Sequence, residues 1–283
     1  MRIEVKKLAD LGPSRVAYFD LHEDFGLACL VEGKGGVTLN LNDSICRSWA
    51  KEEHPNIWAV KWFSRDQVLL YPVTTSAAIV SARGWAEIEL AWPYEVILSK
   101  NRIFVYYTEE ALFRSMPGDL DGSIMCVFTR DGKLEFGLYD LLDQDRGLIE
   151  IAAGYTFDEH VVFTGSDSNC VWIVDAAERT YQKSPASFSL IGIDVLAGDA
   201  KKAYAIYDHR RLLQLYAGRP PIELAIFDLV SNTSFKQDFA PVEAALTAAG
   251  FEMSEIKFQP NSTGRIIVSD GNKAALLEFS HSA

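Results

Sequence analysis

Short apolar runs alternate with compact polar breaks from one end of the chain to the other. Runs rich in β-branched and aromatic residues cover 15–20, 57–63, 68–72, 102–107, 161–164 and 264–269. Each is the length of a strand and too short to bury one face of a helix. The breaks collect Gly, Asn, Asp and Ser, as in Gly33 to Gly36, Ser64 to Asp66, Arg130 to Gly132, Gly165 to Asn169, Ser231-Asn232 and Ser269 to Asn272. These residues tolerate positive φ, so the breaks read as hairpin turns. Helix signals are few. Residues 241–249, opened by Pro241 and followed by Gly250, predict one short helix, and 49–53 and 108–113 carry weaker helical patterns. Trp58 and Trp62 share a parity on one predicted strand and read as packing residues.

The runs fall into groups. The segments that open them begin at Val16, Ile57, Tyr94, Ile149, Leu190 and Ser254, spaced by 41, 37, 55, 41 and 64 residues. A four-stranded blade takes ~40–50 residues, so the spacing predicts six repeats, two of them with inserts. Group four resolves into strands at 148–155, 161–164, 170–174 and 180–183. Group six offers only 255–259, 265–269 and 274–279 before the chain stops, one strand short. Residues 2–8 precede the first group and have no partner of their own, so they are expected to complete the last group beside 274–279 and cover its open edge. Over essentially its whole length this pattern resembles the β-propeller architecture. The resemblance implies an all-β fold of six four-stranded antiparallel blades closed by the N-terminal strand, in a single domain 1–283. No Gly-His paired with a later Trp-Asp marks WD repeats, and no Gly-Gly doublet recurs as in Kelch repeats.

Charge narrows the partners. Twenty-seven Lys and Arg against thirty-nine Asp and Glu give a net charge of −12 and a pI near 4.9. The chain as a whole therefore repels phosphate backbones and anionic membranes, and neither nucleic acid nor membrane is expected as a partner. Cys29, Cys46, Cys126 and Cys170 lack CxxC spacing and a nearby His, so they read as reduced, mostly buried thiols rather than a zinc site. The first residues alternate polar and apolar without a signal-type apolar stretch, which makes cytoplasmic residence the expectation.

The propeller resemblance brings the start of each first strand and the loop between second and third strands to one face. Glu95, Glu150 and Glu255 each stand just ahead of a β-branched apolar residue in an opening strand. The shared phase would aim three carboxylates at one channel mouth, a donor set suited to a divalent cation such as calcium; the competing reading is solvated strand ends. The second-to-third-strand loops contribute Asp119, Asp121, Asp167, Asn169, Asp208-His209-Arg210-Arg211, Asp270 and Asn272. Counted from Asp119, the fifth and twelfth positions are Ser123 and Arg130, so an EF-hand is excluded and a turn fits better. In Asp208-His209-Arg210-Arg211 a carboxylate, an imidazole and two guanidiniums are adjacent, able to grip an anion or to carry a general base. With Asp167 and Asp270 they form the candidate ligand site.

No Gly-x-Ser-x-Gly, Walker loop, Gly-x-Gly-x-x-Gly or His-Glu-x-x-His is present. Three functions remain open. The first is a non-enzymatic module that binds a protein or small molecule. The second is a metal-dependent hydrolase resembling the six-bladed lactonases, whose Glu-Gly-Pro motif has no match here: Gly12-Pro13 follows Leu11. The third is an assembly protein docking through a blade edge or the 241–249 helix.

Overall fold

The hairpins expected at the polar breaks join the strands into six four-stranded antiparallel sheets. The computed structural model describes residues 2–11, 15–50, 57–72, 76–90, 93–107, 123–142, 151–165, 169–188, 190, 192–212 and 222–280. Strand β1 (Arg2–Asp10) comes first. Blade one holds β2 (Arg15–His22), β3 (Gly26–Gly33), β4 (Gly36–Leu41) and β5 (Ser44–Ala50). Blade two holds β6 (Ile57–Ser64), β7 (Gln67–Pro72), β8 (Ser76–Ser81) and β9 (Gly84–Glu89). Blade three holds β10 (Glu95–Leu98), β11 (Arg102–Tyr106), β12 (Met125–Thr129) and β13 (Leu134–Gly137). Blade four holds β14 (Ile151–Phe157), β15 (His160–Gly165), β16 (Cys170–Asp175) and β17 (Thr180–Pro185). Blade five holds β18 (Val195–Gly198), β19 (Lys202–Asp208), β20 (Ile222–Asp228) and β21 (Thr233–Gln237). Blade six runs β22 (Lys257–Pro260), β23 (Ile266–Ser269), β24 (Lys273–Ser280) and then β1.

The missing strand of the last blade is thus supplied by the N-terminus. β1 lies antiparallel to β24 from Arg2 opposite Ser280 to Asp10 opposite Lys273. An irregularity between Lys6 and Ala9 bends the pairing, and Lys6 forms an ion pair with Glu278 across it.

The chain divides into two compact units. The first comprises 1–94, 245–257 and 267–283, and the second 95–244 and 258–266. In the first unit, Ala28, Leu30, Leu39, Val60, Trp62, Leu70 and Val80 form one buried cluster shared by blades one and two. Polar ties reinforce it. Asp20 of β2, 1% exposed, accepts the backbone N–H of Trp62 on β6 at 2.8 Å, and the Trp62 indole donates to the Gly26 carbonyl at 2.9 Å. Gly26 stands at φ +92°, and a Cβ there would lie 1.7 Å from Asn42 Oδ1. The position requires glycine because Asn42 crosses from the next hairpin to accept from Leu27 N and donate to Phe25 O.

In the second unit β14 abuts β10 on one side and β18 on the other. Thr156 donates to the Leu98 carbonyl and Tyr155 to the Asp199 carbonyl, each at 2.9 Å. The Arg102 guanidinium forks between Glu135 of its own blade and Glu159 of blade four.

The helix expected at 241–249 is present as α1 (Ala240–Ala248). Gly250 at φ +78° ends it: Gly250 N donates to Thr247 O and Phe251 N to Leu246 O, with both Phe251 and Leu246 buried. That is the glycine-terminated end the sequence signalled. The helical pattern at 49–53 is not realised at its start, because Trp49 belongs to β5 and pairs with Val37; the ladder to β4 overrides local propensity. Residues 108–113 and the side chain of Trp58 lie outside the described residues. Blade five opens at Val195, five residues after Leu190, which is buried in the core it shares with blade four. All four cysteines are free thiols, Cys29 and Cys126 buried and Cys46 and Cys170 half-buried. Among the described residues no helix is long and apolar enough to cross a membrane.

Candidate functional site at the end of blade five

Antiparallel pairing brings the start of β18, the end of β19, the start of β20 and the end of β21 to one edge of blade five. Register places Val195 opposite Ile206, Tyr207 opposite Glu223, Asp208 opposite Ile222 and Ala225 opposite Lys236. The chain leaves β19 in one 3₁₀ turn, His209–Leu212, which ends the strand alternation and brings Arg210 back onto Asp208 while His209 stays buried.

The carboxylate of Asp208 closes on Arg210. Its Oδ1 accepts Arg210 Nε at 2.8 Å and its Oδ2 accepts Nη2 at 2.5 Å, while Oδ1 also caps Arg210 N. Asp194, just ahead of β18, accepts the backbone N–H of Asp208. His209 turns inward and is only 2% exposed, with Nε2 3.9 Å from Glu223 Oε2 and its ring 6.0 Å from that of Tyr207. Glu223 takes the ammonium of Lys236, which stands 5.8 Å over the Phe188 ring. Burial, and after it the Glu223 carboxylate, push the Tyr207 phenol well above its ordinary range. The result is a buried imidazole beside a carboxylate already paired with a cation, rimmed by a second guanidinium–carboxylate pair.

Three residues of this cluster follow from strand pairing rather than sequence adjacency: Asp194, Glu223 and Lys236. Glu223 is the one with a local signal, a lone acid inside the otherwise apolar start of β20.

Arg211 belongs to the 3₁₀ turn, and its side chain lies outside the described residues, as do Glu150, Asp167, Asp119 and Asp121. Asn169 accepts Ala186 N through its carbonyl at 2.7 Å. Asp270 closes the β23–β24 turn by accepting Asn272 N and Lys273 N, each at 3.1 Å, and also accepts Glu252 N at 3.3 Å. Glu95 opens β10, accepts the N–H of Val96 at 3.0 Å and stands opposite Tyr106. Glu255 is exposed in the turn between α1 and β22 and belongs to the first unit, whereas Glu95 belongs to the second. Among the described residues no group of three His, Cys, Asp or Glu is placed to hold a metal ion.

No protein-family model and no curated protein sequence matches the chain. Among solved structures it is similar to the WD40 β-propeller domain of Doa1, at 9% identity and a TM-score of 0.50 over 98% of this chain and 97% of that one. It is also similar to the Neurospora crassa Pan2 WD40 domain, at 11% identity and a TM-score of 0.49 over 93% of this chain and 74% of that one. A streptogramin B lyase matches at 12% identity and a TM-score of 0.46, covering 98% of this chain and 97% of that one. The likeness to the Doa1 domain and the sheet topology show the fold, a six-bladed β-propeller, and leave function to the residues.

Proposed function

We propose that the chain is a non-enzymatic binding module that presents the end of blade five to a protein or small-molecule ligand. The observation that carries this reading is the engaged state of the charges gathered there. Arg210 is closed on Asp208, Lys236 on Glu223, and His209 is buried against that same carboxylate. A general base must be free to take a proton from substrate, and a metal ligand must have lone pairs to give. Paired, half-buried charges instead form a pre-organised polar surface, which loses little side-chain freedom when a partner seats on it.

The test joins two measurements on the full chain. A photo-reactive amino acid in place of Lys236, on the rim, is expected to cross-link one partner in the native host, and Arg210→Ala with Asp208→Ala is expected to abolish that adduct. In parallel, the melting temperature is expected to be indifferent to calcium, magnesium, manganese and zinc. A calcium-dependent rise that Glu95→Gln, Glu150→Gln or Glu255→Gln removes, accompanied by lactone hydrolysis, would replace the binding module with the metal-dependent hydrolase.

A further inference from the structure

On the outer strands of the first unit, two indoles hold a cation that has no ionic partner among the described residues. β5 is the last strand of blade one and, among the described residues, pairs only with β4; β9 is the last strand of blade two. Trp49 of β5 and Trp85 of β9 meet edge to face with centroids 6.1 Å apart, and both pack on the buried cluster of their unit. The Arg47 guanidinium lies 5.8 Å from the Trp49 ring and 5.4 Å from the Trp85 ring. Arg47 is exposed, and among the described residues its side chain makes no hydrogen bond or ion pair. Its planar fork therefore rests against the two rings, with its side-chain donors left for a ligand. Glu87, exposed two residues along β9 from Trp85, does not pair with it.

Beside the fork runs a strand edge that has no neighbour among the described residues. β5 shows an exposed pattern along seven residues, and Ile45 is 72% exposed. A strand added to that edge makes main-chain hydrogen bonds to β5 and sets its own side chains ~5 Å from those of β5, within reach of a bidentate contact.

We propose that the β5 edge is a docking strand for an extended acidic peptide segment, whose Asp or Glu carboxylate is gripped by Arg47 on the Trp49–Trp85 platform. Charge complementarity selects this occupant over a second copy of the chain. Ser44 to Ala50 contains no carboxylate, so a second β5 brings nothing for the fork and, paired about Arg47, opposes one guanidinium with another. The surface is on a different blade from the cluster around His209, so its failure leaves that reading intact, and the reverse.

The probe is a capped octapeptide of alternating Thr and Glu, titrated into isotope-labelled full-length protein while the Trp49 and Trp85 indole N–H signals and the β5 amides are followed. Saturable shifts confined to those groups are expected. Replacing Glu by Gln in the peptide, or Arg47→Ala in the protein, is expected to weaken binding by ~10-fold or more, because the charge-assisted bidentate pair is gone. Arg47→Lys keeps the charge without the fork and should fall between. Glu87→Gln removes a carboxylate two residues along β9 from Trp85, a like charge toward the peptide, and should tighten binding. Arg47→Glu guards against misfolding: it is expected to lose the Thr-Glu peptide and gain a Thr-Lys one. Equal binding of the Gln peptide, shifts that survive Arg47→Ala, or no shift up to about 10 mM peptide would overturn the proposal. Concentration-dependent broadening of the β5 amides without peptide would do so too, by assigning the edge to a second copy.

Discussion

Asp20→Ala is expected to lower the melting temperature by about 4–16 °C. The Asp20 side chain is 1% exposed, and its Oδ2 accepts the Trp62 backbone N–H at 2.8 Å, tying β2 to β6. Alanine leaves that N–H buried without this acceptor, which costs ~1–3 kcal/mol, and the small void adds roughly one more. For a chain of this size each kcal/mol moves the midpoint by about 2–4 °C. Asp20→Asn keeps a carbonyl oxygen where the acceptor is needed, so it should cost less than about half as much. Trp62→Phe deletes the donor to the Gly26 carbonyl on the other side of the same tie and should cost ~1–2 kcal/mol. Calorimetry and urea titration at neutral pH measure all three. Equal losses for Asn and Ala would show that the charge matters and the acceptor does not. A shift below about 2 °C for Ala would refute the clamp altogether.

Deleting residues 2–10 should lower stability across the whole chain in one cooperative transition, since it bares β24; two separate transitions in the intact protein would refute a single domain over 1–283. Gly26→Ala should destabilise by ~1–3 kcal/mol through its φ of +92° and the clash with Asn42, and Asn42→Ala should relieve only the clash, leaving the backbone strain. Burial pushes the Cys29 thiol up to about 11 and the Cys126 thiol up to about 12. Above pH 9 the folded state therefore holds protons that the unfolded state has released, so stability should be unaffected by these thiols below pH 9 and fall as pH rises through 9–12. Cys29→Ala should flatten that alkaline limb between pH 9 and 11, and an unchanged limb would exclude Cys29 as its source. Denatured, unreduced protein should titrate as four thiols.

Most of the architecture was written in local chemistry. Strand runs need only β-branched and aromatic residues, and hairpins only residues that accept positive φ: Asn42 and Asp43, at φ 49° and 65°, close β4 onto β5 as such residues should. The last blade was legible through a deficit, because three strands without a fourth at the end matched one strand without a sheet at the beginning. What failed was phase at the blade starts. Leu190 reads as the opening of blade five because it is apolar and follows a turn, yet it is a core residue in the connection ahead of β18. Trp49 reads as helical because alanine, lysine and two glutamates follow it, and only the ladder to β4 makes it a strand residue.

Function was harder to read because the charges that matter acquire their meaning across strands. Asp208 and Arg210 are adjacent enough to be noticed together, but the pairing of Glu223 with Lys236 spans a hairpin and decides whether His209 is a base or a buried neighbour. The same holds for Arg47. Its platform joins Trp49 to Trp85, thirty-six residues apart, and each ring alone reads as core, which each partly is. The net charge of −12 misleads at this scale, since it argues against anionic partners for the chain as a whole. At physiological ionic strength the field of distant carboxylates dies away within ~8 Å, so a contact made by one oriented guanidinium answers to its immediate surroundings. Salt therefore acts in two opposing directions on an acidic peptide at β5. It screens the attraction of Arg47 and also the repulsion of the acidic background, so binding should weaken only shallowly with salt, whereas Arg47→Ala should leave repulsion alone and bind better as salt rises. A steep loss with salt in the wild type would mean that the peptide senses a positive field broader than one arginine.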